Sequence, residues 1–473
     1  MKKDGYWLGH PAIILFLFSL TILLIRIFFR GQILLLDESE QVMLAQELLP
    51  GYPGQPPLYT WLQYLFFKAL GVNLFSLTLL KCSLFFFCLY FFHLICKIHC
   101  ETLLLAWCAT LSWTLIPAIG LDLIKDNTHS ILALLTACLT WYWMIIPERF
   151  SKYIWYTLFG CILAAGLLAK FNYLLFLVVL LTSALSLKEF RKKFIHPYMI
   201  YSLLLALLLT CPYLWWLWKE PHIALSSIYK LHPNATSLRQ GMGELTIVVL
   251  IFSLPAFVTL CFFFPKRQIN LSEKIANRLL HRYHIILLPV LFLTVIIGDM
   301  HAFKTRWLIP LLFLFPVFYL SQVKYCPDLK TRILKFVSLS LLIEVIFLMI
   351  LILSHHFEQS KNKQKPLQAI IELLKYDSSH HIDWIVSDSY WLLGNLTSTL
   401  AHKNVWLLTS INKYHLPQGQ CLLIWKGKEI PFWVYAHDQM HASNVRLIED
   451  TKRKTVIGGY TFMQIYESSD KPG

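Results

Sequence analysis

Eleven long apolar runs cover most of the chain and leave only a small part of it for a soluble fold. Each run is long enough, or nearly so, to cross the roughly 30 Å hydrocarbon core of a bilayer as a helix. Hydrophobic residues make up 57% of the 473 residues and charged residues only 15%, which excludes an ordinary soluble enzyme. The pattern predicts an all-α polytopic membrane protein with about eleven transmembrane helices. The predicted spans lie at about 11–29, 77–96, 102–120, 127–146, 153–169, 171–187, 196–218, 244–264, 283–298, 306–322 and 333–354.

Basic residues gather in alternate loops, and this pattern predicts the orientation of the chain. The positive-inside rule assigns the basic loops to the cytoplasm, together with the N-terminus, and places the region after the last span outside. The net charge of +15 then follows from topology, so nucleic acid is not expected as a partner. The basic groups are Lys2 and Lys3, Arg149 and Lys152, and the clusters within 188–193, 266–282 and 324–332.

The composition changes after residue 354, which predicts a transmembrane domain at 1–354 and a small soluble α/β domain at 355–473. In the second domain, Pro366–Lys375 has helical spacing. Cys421 is the only cysteine of that domain, which excludes a disulfide within it. Short strands are predicted at Ile382–Ser387, Val405–Leu408, Cys421–Trp425 and Phe432–Tyr435.

The loop at 30–76 is long for a connector and opens with the adjacent acids Asp37 and Glu38. A partly desolvated carboxylate at a membrane surface can act as a general base. Neighbouring side chains do not point at one spot, so one acid is expected to face a site and the other to support it. A helical stretch is predicted from Ser39 to Leu49. A second helix, Leu58–Leu70, is expected in the membrane interface, with Trp61 and Tyr64 at headgroup depth.

Three further groups of charged residues lie on the predicted outer side. Lys125 and Asp126 precede the fourth span, where Asp126 could instead serve as a helix N-cap. Lys170 marks the predicted hairpin within the run 153–187, and an interfacial snorkelling lysine is the alternative interpretation. The turn before the tenth span is dense in donors that suit a phosphate. Its three donors are His301, Lys304 and Arg306.

These segments together resemble the dolichyl-phosphate-mannose protein mannosyltransferase superfamily. The resemblance rests on Asp37-Glu38, on Gln55-Pro56-Pro57-Leu58-Tyr59-Thr60-Trp61-Leu62, on 125–130 and on 166–173. It is strongest to the bacterial branch, which includes the lipid A aminoarabinose transferase and the lipopolysaccharide-core sugar transferases. Gln55 stands where relatives usually have a histidine, so any role of that histidine is not expected here.

The resemblance implies an inverting glycosyltransferase of the C-type membrane fold in a bacterial inner membrane, with a periplasmic C-terminal domain. A polyprenyl-phosphate sugar would be the donor, and lipid A, lipopolysaccharide core or protein the acceptor. Asp37 would be the catalytic base, supported by Glu38 or Asp126. Tyr59 and Trp61 would lie at the acceptor and membrane interface. The donor phosphate would be bound by Lys125, Lys170, His301, Lys304 and Arg306.

Two alternatives remain open from the sequence. A flippase for a lipid-linked sugar would share the polar cavity but should show two related halves, and no repeat is evident. A non-catalytic envelope scaffold would need the C-terminal domain and not the acidic pair. No ligand spacing typical of a metal site is present, and a divalent metal ion stays open as a cofactor. The sugar, the acceptor, the carrier length and the oligomeric state are not specified.

Overall fold

The computed structural model describes residues 9–31, 33–147, 150–227, 238–265, 274–323, 327–360, 367, 370–372, 382–399, 404–408, 416–427, 429–431, 433–434, 446–450 and 455–465. The chain forms two compact units. The first combines Met1–Ile25, Leu49–Leu62 and Thr78–Ile350, and the second combines Arg26–Leu48, Gln63–Leu77 and Leu351–Gly473. The second unit thus includes two segments of the first loop that the predicted domain boundary assigns to the transmembrane domain. That boundary stays a prediction.

Apolar helices dominate the described residues. These helices are rich in Leu and Phe, and their backbone N–H and C=O groups are hydrogen-bonded within each helix, as the hydrocarbon core of a bilayer requires. The helices are α1 (Pro11–Phe28), α2 (Leu36–Leu44), α3 (Leu58–Leu70), α4 (Leu74–His99), α5 (Leu103–Leu111), α6 (Leu123–Lys125), α7 (Thr128–Ile145), α8 (Lys152–Leu167), α9 (Asn172–Leu185), α10 (Lys188–Ile195), α11 (Met199–Lys219), α12 (Pro221–Ala224), α13 (Leu238–Phe263), α14 (Ile275–Gly298), α15 (Thr305–Leu312), α16 (Phe315–Leu320), α17 (Leu329–Ser360) and α18 (Tyr390–Thr399).

Within the described residues, seven helices are long and apolar enough to cross a membrane. Two bent pairs raise the number to nine if each pair forms one span. The first pair bends by 77° between Leu103–Leu115 and Ala118–Lys125, and the second by 113° between α9 and α10. Helix α8 is apolar but shorter. The predicted membrane fold is therefore observed, whereas the number of eleven spans stays a prediction.

The predicted hairpin at Lys170 is confirmed, because α8 ends at Leu167 and α9 begins at Asn172. Helices α8 and α11 approach each other closely at Gly160. A Cβ atom on Gly160 would lie 2.7 Å from the backbone oxygen of Ser202, so only glycine fits there. This close packing fixes α8 in the first unit although its apolar stretch is short.

The first loop contains two helices. The predicted helix Leu58–Leu70 is confirmed as α3. Helix α2 begins at Leu36, three residues before the predicted stretch, and so contains both acids of the motif. Tyr64 packs against a buried apolar cluster of the second unit instead of standing alone in the interface. That cluster consists of Leu34, Val42, Ala45, Phe67 and Leu77.

The C-terminal segment contains a five-stranded sheet in the order β2-β1-β3-β5-β4. Its strands are β1 (Trp384–Ser387), β2 (Asn404–Leu407), β3 (Gly419–Lys426), β4 (Arg446–Asp450) and β5 (Thr455–Ile465). Strand β1 pairs in parallel with β2 and β3, and β5 pairs antiparallel with β3 and β4. Each face of the sheet carries a buried apolar cluster. The mixed sheet with α18 confirms the predicted small α/β region.

Not every predicted element of this region is found. The strand predicted at Phe432–Tyr435 is wrong, because its described residues, Trp433 and Val434, are helical. The helix predicted at Pro366–Lys375 lies largely outside the described residues. Helix α18 and strands β4 and β5 were not predicted.

Candidate active site

The carboxylate of Glu38 is held in a buried ion cluster within the second unit. Arg26 Nη2 donates to Glu38 Oε1 at 2.6 Å, and Arg30 Nη1 donates to the same oxygen at 2.7 Å. Arg30 Nη2 and the backbone N–H of Leu35 donate to Oε2. Glu38 is only 1% exposed. Its charge is therefore compensated in place, and its oxygens join the end of α1 to the start of α2.

Asp37 precedes Glu38 on α2 and is half-buried. Successive residues of an α-helix point about 100° apart, so the Asp37 carboxylate faces a different direction from Glu38. The sequence predicted that the two acids would point in different directions, and that one of them faces a site stays a prediction. The assignment of Asp37 as the base stays a prediction.

Helix α2 packs against α18 through one asparagine. The Asn395 side chain accepts a hydrogen bond from the backbone N–H of Leu34 at 2.7 Å and donates to the hydroxyl of Ser39 at 3.1 Å. The Trp391 indole donates to the Leu34 carbonyl at 3.0 Å. A Cβ atom on Gly394 would lie 2.4 Å from the Ser39 carbonyl oxygen. The C-terminal segment therefore holds the backbone that carries the acidic pair.

Two pKa shifts occur near α18 and the sheet. Burial raises the pKa of Tyr390, and the Glu40 carboxylate adds to the rise. Burial also raises the pKa of the Cys421 thiol to about 11, with a smaller contribution from Asp383. Both groups therefore keep their protons at neutral pH.

In the first unit, several polar side chains converge on the segment 125–130, where α7 begins. Asn127 is the N-cap residue of α7 and has φ of 24°, a conformation that non-glycine residues rarely adopt. Its side-chain oxygen accepts a hydrogen bond from Arg306 Nη1 at 3.2 Å, and its amide donates to the Asp122 carbonyl. The interpretation of Asp126 as the N-cap is wrong, since Asn127 is the N-cap of α7 and Asp126 is the C-cap of α6.

Lys170 reaches the same segment from the α8–α9 hairpin. Its ammonium donates to the Ser130 hydroxyl at 2.6 Å, and the residue is 8% exposed. A snorkelling lysine would extend into water, so this buried bond does not fit that alternative. On the next element, Asn172 donates to the Trp307 carbonyl at 2.9 Å, which ties the hairpin to α15.

Lys81 is a basic residue of this region that was not predicted. It lies on α4, is almost fully buried, and donates to the Lys125 carbonyl at 3.4 Å. A lysine within a long apolar helix was the available signal, because such residues usually have a functional reason in a membrane protein. Lys125 itself is half-buried.

The Pro-Pro-Leu loop also joins this region. The backbone N–H of Leu58 donates to the Leu168 carbonyl at 3.0 Å. Tyr59 is fully buried, with its ring 5.4 Å from the ring of His129. Trp61 is half-buried, and its indole donates to the Leu49 carbonyl at 2.7 Å. The interface roles predicted for Tyr59 and Trp61 stay predictions, and the structure gives both residues packing or bonding partners inside the protein.

The turn before α15 contains the remaining predicted donors. His301 is buried and its Nε2 lies 3.0 Å from Asp299 Oδ1, while Lys304 is exposed and precedes α15. Arg306 lies in the first turn of α15 itself and donates to Asn127. Within the described ranges, no group of three His, Cys, Asp or Glu side chains could hold a metal ion.

The predicted residues thus form two groups. Asp37 and Glu38 belong to the second unit, and the predicted phosphate-binding residues belong to the first, together with Asp126. The first group is organised by Arg26, Arg30 and α18. In the second group, Lys170 and Arg306 bond to residues 125–130. That Asp37 meets the cations in one pocket stays a prediction.

Comparison with known proteins gives consistent results at the level of family and fold. Residues 54–216 match the sequence model of the family described as dolichyl-phosphate-mannose-protein mannosyltransferase. Two relatives from Rhizobium johnstonii are similar over about 61% of this chain: the lipopolysaccharide core galacturonosyltransferases RgtB, 28% identical, and RgtA, 27% identical. The chain spans 60% of the length of each.

Solved structures of ArnT from Cupriavidus metallidurans show the same fold. The apo structure superposes with a TM-score of 0.64 at 10% identity, covering 95% of this chain and 98% of ArnT. The structure of that protein bound to undecaprenyl phosphate gives a TM-score of 0.63 with the same coverage. The apolar helices and these relatives make the chain a multi-pass membrane protein. The family match and the two relatives relate the chain to the bacterial branch of the dolichyl-phosphate-mannose protein mannosyltransferase superfamily, and the ArnT structures show the shared fold.

Proposed function

We propose that the protein is an inverting glycosyltransferase that moves a sugar from a polyprenyl-phosphate carrier to an envelope acceptor. The acceptor would be lipid A, lipopolysaccharide core or a protein hydroxyl. The observation that carries the proposal is that three basic side chains, Lys81, Lys170 and Arg306, donate hydrogen bonds to residues 125–130. Cations within a membrane domain are costly and mark anion or substrate pathways. The similar galacturonosyltransferases and the undecaprenyl-phosphate complex of ArnT support this choice.

The chemistry requires one base and one anion site. Asp37 takes the proton of the acceptor hydroxyl, and the acceptor oxygen attacks the anomeric carbon from the face opposite the phosphate. The bond between that carbon and the phosphate oxygen breaks, and polyprenyl phosphate leaves. Lys170, Arg306 and Lys125 stabilise the negative charge that develops on the leaving group, with His301 and Lys304 at the edge of the site.

Glu38 and Asp126 have supporting roles in this scheme. The two guanidinium groups already occupy the Glu38 oxygens, so this residue positions α2 and does not take the proton. The chain would lie in a bacterial inner membrane with a cytoplasmic N-terminus. The C-terminal domain would then be periplasmic, on the side where lipid-linked sugars are consumed.

The test is a transfer assay with purified protein, short-chain polyprenyl-phosphate sugars and an envelope extract as acceptor. We expect Asp37→Asn to lower release of polyprenyl phosphate by about 100-fold or more, the usual effect of losing a general base. Glu47→Gln is the matched control, because it removes an exposed carboxylate from the same loop. Turnover by Asp37→Asn at the wild-type rate would refute the assignment of the base. Sugar-lipid translocation without phosphate release would favour a flippase.

A further inference from the structure

A cationic cavity lies at the end of helices α8 and α9 opposite the Lys170 hairpin. Its volume is about 630 Å³. It opens beside α10, which bends by 113° away from α9. It is lined by Phe150, Lys152, Trp155, Tyr156, Lys188, Glu189, Lys192, Lys193 and His196. Four lysines and one acid therefore surround a space large enough for a small organic ligand.

The charge of this cavity is strongly positive. Its acid, Glu189, is bound by Arg278, which lies 2.9 Å away, so it does not neutralise the lysines. Lys188 and Lys192 are exposed on α10, one helical turn apart, and therefore project to the same face. Lys152 lies 3.3 Å from the His196 ring. An anionic ligand is the chemistry that this lining selects.

The floor of the cavity is aromatic and rigid. The Lys193 ammonium lies 5.3 Å from the centre of the Trp155 ring and donates to the Met144 carbonyl. The Tyr156 hydroxyl donates to the Lys193 carbonyl at 2.6 Å, and the Tyr156 ring stacks on His196. These bonds fix α10 against α8. The cavity is therefore built by the fold and is not a chance gap between mobile lysines.

An apolar surface continues from the cavity along α8 and α11. Tyr153 and Ile154 are exposed on α8, and Tyr201 and Leu204 are exposed on α11. The rings of Tyr153 and Tyr201 meet edge to face at 6.2 Å. Exposed apolar side chains of this kind contact acyl chains in a membrane protein. A ligand with a phosphate head and acyl chains matches both parts of the surface.

We propose that this cavity binds the headgroup of an anionic phospholipid. The phosphate is held by Lys152, Lys188 and Lys192, and the acyl chains lie against α8 and α11. Trp155 and Tyr156 form the floor beneath the headgroup. Basic pockets between membrane helices bind anionic lipid headgroups by this combination of charge and apolar contact. The site is separate from the residues assigned to sugar transfer and does not depend on that assignment.

The experiment measures lipid retention by native mass spectrometry of the full chain in detergent. Phosphatidylglycerol is titrated against the wild type and against the double variant Lys188→Gln/Lys192→Gln. Each lysine is expected to strengthen lipid binding about fivefold, so we expect the double variant to bind phosphatidylglycerol roughly 25-fold more weakly than the wild type. The control is Lys330→Gln/Lys335→Gln, which removes the same charge from exposed positions of α17 outside the cavity, and we expect it to bind as the wild type does.

Two further arms identify the ligand. Phosphatidylcholine, which has no net charge, should bind the wild type and the double variant equally weakly. Inorganic phosphate and pyrophosphate should compete only at far higher concentration, because they lack acyl chains. Equal binding of phosphatidylglycerol to the wild type and the Lys188/Lys192 variant would overturn the proposal. Competition by inorganic phosphate at the lipid's own concentration would overturn the lipid assignment. Unchanged thermal unfolding of both variants establishes that they are folded.

Discussion

The packing of α18 on α2 predicts that Asn395 controls the opening of the segment that carries Asp37. Asn395 and Leu34 are 1% and 2% exposed, and the Leu34 amide donates to Asn395 at 2.7 Å. Asn395→Ala leaves that buried N–H without its acceptor. An unsatisfied buried donor costs about 1–3 kcal/mol. A free-energy change of that size corresponds to about a 5- to 150-fold change in an opening equilibrium.

Hydrogen exchange of peptides covering residues 33–44 measures this opening. We expect Asn395→Ala to speed exchange of the Leu34 amide by about 5- to 150-fold, since exchange there requires separation of α2 from α18. Ser398→Ala is the matched control, because, in the part of the chain that the structure describes, its hydroxyl bonds to the Asn395 carbonyl within α18. It should leave exchange at 33–44 unchanged.

A second substitution tests the same contact without removing a hydrogen bond. Gly394→Ala adds a Cβ atom that would lie 2.4 Å from the Ser39 oxygen, so α2 and α18 must move apart. We expect faster exchange at 33–44 in this variant as well. Wild-type exchange in both Asn395→Ala and Gly394→Ala would refute the reasoning, because the two changes disturb the contact in independent ways.

Three other predictions concern the same unit. Glu38→Ala leaves the buried Arg26 without the carboxylate that binds it, and we expect it to lower the free energy of unfolding by about 3–5 kcal/mol. Tryptophan fluorescence would show this as a reduced unfolding temperature. An unfolding temperature equal to that of the wild type would contradict a stabilising ion cluster. Cys421 should resist maleimide at pH 8 until the protein is denatured, as read by peptide mass spectrometry, because its pKa is about 11 and its side chain is buried. The same shift predicts that stability falls as pH rises from about 9 to about 11, since the unfolded chain then loses a proton that the folded chain keeps.

Local patterns in the sequence predicted the elements whose formation depends on local physics. Helix α3 follows from one apolar and aromatic run, and the hairpin at Lys170 from a polar interruption in a run too long for one span. Both ends of each of the strands β1, β2 and β3 lie within two residues of the predicted ends. Burial of apolar side chains determines all these elements, so their periodicity is visible without tertiary contacts.

Strand β5 was missed for a physical reason. Gly458 and Gly459 lie inside it, and adjacent glycines normally indicate a turn. In the fold, Gly459 pairs with Trp425, and a Cβ atom there would lie 2.3 Å from the Trp425 ring. The glycine is needed for close packing, not for a turn. The pairing of β5 with β4 also shifts register after Ile448, where Ile457 of β5 is passed over, and this further weakens the alternating pattern of β5.

Contacts between distant residues were not predictable from the chain alone. Asn395 bonds to Leu34 and Ser39 across more than 350 residues. In the sequence, Asn395-Leu396-Thr397 has the Asn-x-Thr pattern of a glycosylation sequon, and this pattern does not indicate a buried contact. The side chain is buried and bonded, so it cannot accept a glycan in the folded protein. Local spacing contains no information about which loop such an asparagine will meet.

The structure separates the roles of the two acids of the motif, which the sequence alone does not distinguish. Asp37 and Glu38 are chemically similar, and their adjacency predicts only that they differ in direction. The structure distinguishes them through Arg26 and Arg30, which bind Glu38 from the end of α1. To take a proton, Glu38 would have to give up bonds that hold α2 in place. Proton transfer at Asp37 leaves the bonds from Arg26 and Arg30 to Glu38 in place, so the helix stays anchored. The base of the proposed reaction is therefore the acid whose loss should affect turnover more than folding, and Glu38→Ala should show the reverse order.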